Sequence, residues 1–177
     1  PFSGAQNEIE RSADLLSYYA EEGLRLRGEI PMLNLPDERV LVIKEPVGVV
    51  VAITPFNYPI TLLTLKLGAA LITGCTVVAK PADETPLTTL MVAEIFHEVG
   101  YPPGVFNVVC GHGDEIGKAL VSHPTPRKIS FTGGTKAGKQ ISKIASQTNK
   151  RLTLELGGQC PAIVCDDADL DIAIPAL

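Results

Sequence analysis

Residues 47–80 run Val47-Gly-Val-Val-Val-Ala-Ile53, then Thr54-Pro-Phe-Asn-Tyr-Pro59, then an apolar segment from Ile60 to Thr73, and then Cys75-Thr-Val-Val-Ala79 before Lys80. Two short β-prone runs flank one stretch of helical length. A strand, a crossover helix and a second strand in that order build a parallel pair, and parallel sheets are covered by helices on both faces. The alternation continues downstream. Thr85-Pro86 opens a helix to about Val99 with Gly100 as its stop, and Val105 to Val109 is a strand. Residues 114–122 form a short helix, Lys128 to Phe131 a strand and 135–147 a helix, while Leu152 to Leu156 and Ala162 to Val164 close the series. The expected fold is α/β, an open, mainly parallel sheet with helices on both faces. Ligands of such sheets bind beyond the carboxyl ends of the strands. The loops at 54–59, 80–86, 110–113, 132–138 and 157–160 are therefore expected to line one crevice.

The chain before residue 47 reads differently. Residues 5–27 place Ile9, Ala13, Leu16, Tyr19, Ala20, Leu24 and Leu26 among charges at roughly helical spacing, which predicts an amphipathic helix. Pro31 and Pro36 exclude its continuation. Arg39 to Pro46 is β-rich and framed by prolines, and reads as an exposed hairpin arm or an edge strand.

Composition limits the function classes. With 177 residues, 45% hydrophobic content and a net charge of −5, the chain buries one sizeable core and has no basic excess, so nucleic acid is not an expected partner. No apolar run approaches the roughly 20 residues of a membrane helix. Pro1-Phe-Ser-Gly4 has neither the basic region nor the apolar core of a leader. The expectation is a cytoplasmic protein without membrane contact. Cys75, Cys110, Cys160 and Cys165 lie in apolar segments without CxxC spacing, which predicts buried free thiols, no metal site and no disulfide framework.

Each predicted loop carries polar chemistry. Arg151-Leu-Thr-Leu-Glu-Leu-Gly-Gly158 sets Glu155 in an apolar run near a strand end, and reads as a buried acid before glycines that permit a tight turn or close approach to a ligand. The alternative is a carboxylate capping neighbouring backbone N–H groups. Lys80 stands at a strand end before Pro81, where a ribose hydroxyl or phosphate suits it, and Asp83 suits ribose hydroxyls. Taken singly, the two read better as a solvated turn with a weak surface pair. Phe131-Thr-Gly-Gly-Thr-Lys-Ala-Gly138 leads into a helix through Gly133 and Gly134, leaving backbone N–H groups for an anion, although its spacing is not G-x-G-x-x-G. A helix cap at Thr132 or Thr135 is the structural alternative. Asn57 could donate its amide to a developing oxyanion, or form an Asx-turn or cap.

Taken together, Thr-Pro-Phe-Asn-Tyr-Pro (54–59), Val-Ala-Lys-Pro-Ala-Asp-Glu-Thr-Pro (78–86), Phe-Thr-Gly-Gly-Thr-Lys-Ala-Gly (131–138) and Leu-Glu-Leu-Gly-Gly (154–158) closely resemble the NAD(P)-dependent aldehyde dehydrogenase family. Pro102-Pro-Gly-Val-Phe-Asn-Val-Val109 and Asp166-Asp-Ala-Asp-Leu-Asp171 fit the same pattern. The resemblance covers nearly the whole chain. It implies a Rossmann-like cofactor domain over 47–177 with an N-terminal helical part at 1–28. Residues 29–46 would be part of a β-hairpin oligomerisation arm, and a separate catalytic domain would lie outside this sequence. It further implies a homodimer or homotetramer that oxidises an aldehyde to a carboxylic acid.

Site roles carried over by the resemblance are as follows. Asn57 matches the oxyanion asparagine, Glu155 the base that activates the deacylating water, and Lys66 a lysine that helps relay protons from that glutamate. Lys80 matches the residue on the adenosine ribose, with Asp83 at the neighbouring acid position, where glutamate is commoner. Thr54, Pro55, Phe56, Gly113, Gly117, Phe131, Thr132, Gly133, Gly134, Leu156 and Gly157 fall on the cofactor channel. An acid beside the ribose favours NAD over NADP, because a 2′-phosphate would be repelled.

Three departures accompany the match. Gly134 stands where many members have a serine on the pyrophosphate, and Gln159 replaces a lysine common after the paired glycines. The family's nucleophilic cysteine, which forms a thiohemiacetal and then a thioester, is expected beyond Leu177, because Cys160 and Cys165 follow Glu155 too closely. This sequence alone is therefore expected to be inactive. Two other functions stay open: a non-catalytic nucleotide-binding or structural module, and an acylating relative that passes the thioester to coenzyme A. Glu155 argues against the second.

Overall fold

Strand β1 (Val49–Ile53) carries an apolar side chain at every position and lies at the centre of a five-stranded sheet. In the computed structural model, which describes residues 2–34, 37–159 and 161–176, it pairs in parallel with β2 (Thr76–Lys80) on one side and β4 (Lys128–Gly133) on the other. Pro36 and Cys160 fall outside the described residues. Strand β3 (Phe106–Val108) and strand β5 (Arg151–Leu156) take the two edges, giving the all-parallel order β3-β2-β1-β4-β5. Ala52 lies opposite Ala79, Ile53 opposite Phe131, and Thr132 opposite Glu155.

Successive side chains of a strand point to opposite faces, so β1 needs two covers. Val50 and Ala52 join Val77 and Ala79 under Leu63, Leu67 and Ala70 of α2 (Pro59–Ile72), with Val92 and Phe96 of α3 (Pro86–Glu98) alongside. Val51 and Ile53 join Ile129 and Phe131 on the other face, packed against Val121 of α4 (Lys118–Ser122) and Ile141 and Ala145 of α5 (Thr135–Ser146). The α2 face changes character at β4. There Lys128, Ser130 and Thr132 replace aliphatic residues, and β5 continues with Arg151, Thr153 and Glu155, while Leu152 and Leu154 turn to the α5 side.

The predicted α/β class and helix placement match the structure, with boundary differences that have local causes. The first helix, α1, spans Phe2–Gly23, not 5–27; turns at Leu24 and Arg25 end it, leaving Leu24 and Leu26 exposed. No strand covers 39–46. Glu29 and Val42 exchange both backbone hydrogen bonds, at 2.9 and 2.8 Å, in a single antiparallel bridge. The 114–122 helix begins as a π-helical turn, Gly113–Gly117, before α4. Residues 162–164 form no strand: they follow Pro161, which cannot donate to a ladder, and Ile163 is exposed. A short helix, α6 (Leu170–Ala176), follows. Gly100 does terminate α3, at φ +77°, with Tyr101 N–H returning to Phe96 C=O. Buried thiols were expected throughout, yet only Cys75 of the described cysteines is buried; Cys110 and Cys165 are exposed in segments outside the sheet. No helix among the described residues is long and apolar enough to cross a membrane.

Helix α1 packs along α2. Ser12 and Thr61 hydroxyls share a 3.2 Å hydrogen bond in the buried seam, and Gly68 lies against the Tyr19 ring. A β-carbon at Gly68 would come within 2.9 Å of Tyr19 Cγ, the base of the ring and its least movable atom. Gly68→Ala is expected to overpack this seam and cost about 1–3 kcal/mol, read as a lower thermal unfolding midpoint by circular dichroism. An unchanged midpoint would mean that the seam yields freely.

Candidate functional site

Asn57 lies between β1 and α2, in a loop shaped by its neighbours. Thr54 N–H bonds Lys80 C=O at 3.1 Å, which extends the β1–β2 pairing past the strand end. Tyr58 then takes a left-handed conformation, φ 49° and ψ 53°, and Pro59 opens α2. The Tyr58 cap position offers no side-chain acceptor, so the first N–H groups of α2 need another partner. Glu8 of α1 supplies it: one carboxylate oxygen accepts from Ile60 N–H at 2.8 Å and from Thr61 N–H at 3.2 Å. Asn57 does no capping. Its amide makes no hydrogen bond among the described residues and is exposed, so neither the Asx-turn nor the cap alternative describes it.

An open cleft of about 1830 Å³ lies over the polar half of the α2 face, and Asn57, Lys66, Thr132, Glu155 and Glu8 all line it. Lys66 projects from α2 and donates to Thr132 Oγ1 at 2.6 Å. Burial pushes its ammonium below the usual lysine range; Lys128 adds to that shift, and the Glu155 carboxylate opposes it. Glu155 differs from the expected buried acid. It is exposed and accepts no hydrogen bond among the described residues, because the alternation Arg151, Thr153, Glu155 puts it on the polar face of an edge strand. Backbone capping by this carboxylate is likewise not seen.

A second cluster sits at the end of β2. Lys80 is only 4% exposed and donates to Pro81 C=O and to Asp83 Oδ1, each at 2.9 Å. A buried ammonium held this way is not the solvated turn with a weak surface pair. Asp83 Oδ2 lies 2.9 Å from His112 Nδ1, which brings in the loop after β3. The Lys80 hydrogen bond, and then the charges of Lys80 and His112, hold the Asp83 carboxyl below its usual range.

At the β4 end, Gly134 occupies the cap position of α5 in an extended conformation, with no side-chain cap and open space where a β-carbon would stand. Thr132 is committed to Lys66 and Gly134 has no side chain to cap with, so the first-turn N–H groups have no side-chain partner among the described residues. Gly133 permits the Phe131 ring to fold against the backbone: an added β-carbon would meet that ring, Cε2 lying 3.1 Å away. Gly138 allows α5 to approach Leu156 of β5 in the same way: an added β-carbon would lie 3.0 Å from Leu156 Cδ1. Phe56 is exposed, Pro55 partly buried, Gly113 and Gly157 exposed and Gly117 buried. The structure thus groups Asn57, Lys66, Thr132 and Glu155 in one cleft, and Lys80, Asp83 and the 110–113 loop in a cluster two strands away. Sequence reading missed Glu8, His112 and the Lys66–Thr132 bond. An α2 start with no capping residue was the available sign of Glu8; the other two pair residues far apart in the chain and left no local sign.

Residues 1–177 match the aldehyde dehydrogenase family along their whole length. The chain belongs to that family. It is 52% identical over 174 residues to the mitochondrial succinate-semialdehyde dehydrogenase of Arabidopsis thaliana, covering 98% of this chain and 33% of that protein. It is 46% identical to the NADP(+) succinate-semialdehyde dehydrogenase of Escherichia coli, covering 36% of it. Among solved structures it is similar to an E. coli NADP-dependent enzyme, at TM-score 0.95 and 46% identity over 99% of this chain and 36% of that one. It is also similar to a Staphylococcus aureus betaine aldehyde dehydrogenase in complex with NAD+, at TM-score 0.94 and 39% identity over 98% and 34%. The chain therefore spans about a third of the length of the curated relatives it matches.

Glu8 joins α1 to the first turn of α2. Glu8→Ala leaves two helix-terminal donors without their partner and is expected to cost about 1 kcal/mol of stability, measured by denaturant unfolding. Glu8→Gln keeps an acceptor and should lose less; equal losses would put the effect in charge alone.

Proposed function

We propose that this chain is the cofactor-binding part of an NAD(P)-dependent aldehyde dehydrogenase that oxidises an aldehyde to a carboxylic acid through a thiohemiacetal and a thioester. The observation that carries this reading is the convergence of Asn57, Lys66 and Glu155 on one cleft in a chain of this family. The dinucleotide lies along the carboxyl ends of the strands, which at about 4.8 Å per strand form a shelf of roughly 19 Å.

The residues present fit such a ligand. Lys80 keeps a third N–H beside the two it uses, α5 opens with uncapped N–H groups, and Gly134 leaves room for a close approach. Lys80 and Asp83 hold the adenosine ribose; Thr54, Pro55, Phe56, Gly113, Gly117, Phe131, Gly133, Gly134, Leu156 and Gly157 line the rest. When bound, the coenzyme supplies the hydride acceptor. The nucleophilic cysteine is assigned to residues beyond 177: Cys75 packs under the sheet, Cys110 and Cys165 lie outside the cleft, and Cys160 follows Glu155 too closely in the chain.

Asn57 donates its amide N–H to the oxygen of the tetrahedral adduct, a task for which a side chain free of other bonds is suited. Glu155 takes a proton from the water that attacks the thioester. Lys66, its ammonium weakened by burial and fixed on Thr132, carries protons between that carboxylate and the cleft. The names of the relatives support a short semialdehyde as substrate. Residues 29–46, with Ile30, Met32, Leu41 and Ile43 exposed beside the Glu29–Val42 bridge, serve subunit contact in a homodimer or homotetramer. We place the enzyme in the cytoplasm, whereas the plant relative's name is mitochondrial.

Two measurements on the full-length enzyme test these assignments. Lys80→Ala should weaken binding of both coenzymes about tenfold, the size of a lost hydrogen bond from a charged group, as seen by calorimetric titration; unchanged affinity removes the ribose assignment. Glu155→Gln should slow thioester hydrolysis at least about 100-fold while the single-turnover burst of reduced coenzyme stays intact. A normal steady-state rate where hydrolysis limits turnover rejects the base role.

A further inference from the structure

Asp83 is the acid expected to turn a 2′-phosphate away, yet both of its oxygens already face cationic or cation-forming groups. Lys80 Nζ is 2.9 Å from Oδ1 and His112 Nδ1 is 2.9 Å from Oδ2. The Lys80 ammonium is buried, whereas the His112 side chain is 87% exposed. An ionised carboxylate only accepts hydrogen bonds, so His112 Nδ1 must carry the proton of this pair. The tautomer is thereby fixed. Neutral His112 presents a lone pair at Nε2; charged His112 presents an N–H there.

That reversal matters for one atom of the coenzyme. A ribose 2′-hydroxyl can donate to a lone pair or accept from an N–H, so it suits either state. A 2′-phosphate at neutral pH chiefly accepts, so it suits only the charged state. The local charge moves in the same direction. Lys80, Asp83 and neutral His112 sum to zero, and protonation of the imidazole leaves one net positive charge. Along the chain, Glu84 follows Asp83, Asp114 and Glu115 follow His112, and Lys118 begins α4 just beyond them. All four are common to both states of the imidazole and set a constant background.

Resting on the ribose assignment of Lys80 and Asp83, we propose that His112 is the coenzyme-selecting residue of this site. Its imidazolium, held on Asp83, screens that carboxylate and offers Nε2–H to a 2′-phosphate, so that NADP is accepted with the imidazole protonated and NAD is favoured with it neutral. A single acid at residue 83 then does not by itself dictate NAD. Selection passes to the protonation of the residue across from it.

The test is calorimetric titration of the full-length enzyme with NAD and with NADP at about pH 6 and about pH 8. The readout is the ratio of NADP to NAD affinity in wild type, His112→Asn and His112→Lys. The 2′-phosphate's own ionisation is common to all three proteins, so differences between them at one pH isolate residue 112. At about pH 6 the Asn variant should show a ratio about three- to fivefold below wild type, the size of one exposed charge interaction. At about pH 8 the two should coincide, and the Lys variant should hold a high ratio at both values. An Asn variant that tracks wild type at both pH values overturns the proposal. Lys80→Ala in parallel separates the two failures: if it weakens both coenzymes while His112→Asn is silent, only the His112 role falls, and if it weakens neither, the ribose assignment falls too.

Discussion

The structure depends on a strand with no polar side. Val49 to Ile53 can be dry only if both faces of the sheet are covered, and that requirement places α2 and α3 on one side and α4 and α5 on the other. Parallel pairing does the rest. Each strand must be re-entered from the same end, so every carboxyl end, with the loop it feeds, collects along one rim. Lys80, Thr54, Gly133 and Leu156 reach that rim because the register of β1 with its neighbours leaves them nowhere else to be. Residues with no sequence proximity become neighbours through hydrophobic burial alone.

The two halves of the α2 face then serve different ends. Over β1 and β2 the helix meets aliphatic side chains and closes a core. Over β4 and β5 the same face carries Lys128, Ser130, Thr132, Arg151, Thr153 and Glu155, and a cleft remains. Lys66 sits at that boundary: its stem is buried with α2 and its ammonium reaches Thr132. An apolar flank strips water from the amine and lowers its proton affinity, and the Glu155 carboxylate opposes that effect. Lys80 is handled differently, since a carbonyl and a carboxylate compensate its burial directly.

Much of this was legible in the sequence, and what was not has a common cause. Short valine-rich runs separated by helical segments identified the α/β class, and Gly100 stopped α3 because its backbone conformation suits glycine. Glu155 was misjudged as buried because Leu152, Leu154 and Leu156 read as one apolar block. The intervening Arg151, Thr153 and Glu155 were the better guide, since period two, more than mean hydropathy, decides which face a strand residue takes. Ala162–Val164 looked like a strand by composition but pairs with neither edge strand, β3 or β5. Pairings such as Asp83 with His112, or Glu8 with Ile60, lie beyond any local pattern, because they form only after the sheet and helices have set distant segments side by side.

Glu8 carries a consequence for the order in which the molecule assembles. Its bonds to Ile60 and Thr61 close chain separations of 52 and 53 residues, a loop whose entropy must be spent before the contact returns anything. The β1–α2–β2 unit can condense from nearby residues, but the first turn of α2 is left ragged until α1 docks. The Asn57 loop is therefore completed by a contact of intermediate range: it closes a longer stretch of chain than the pairing of Val49 with Thr76 and a shorter one than the pairing of Val50 with Lys128.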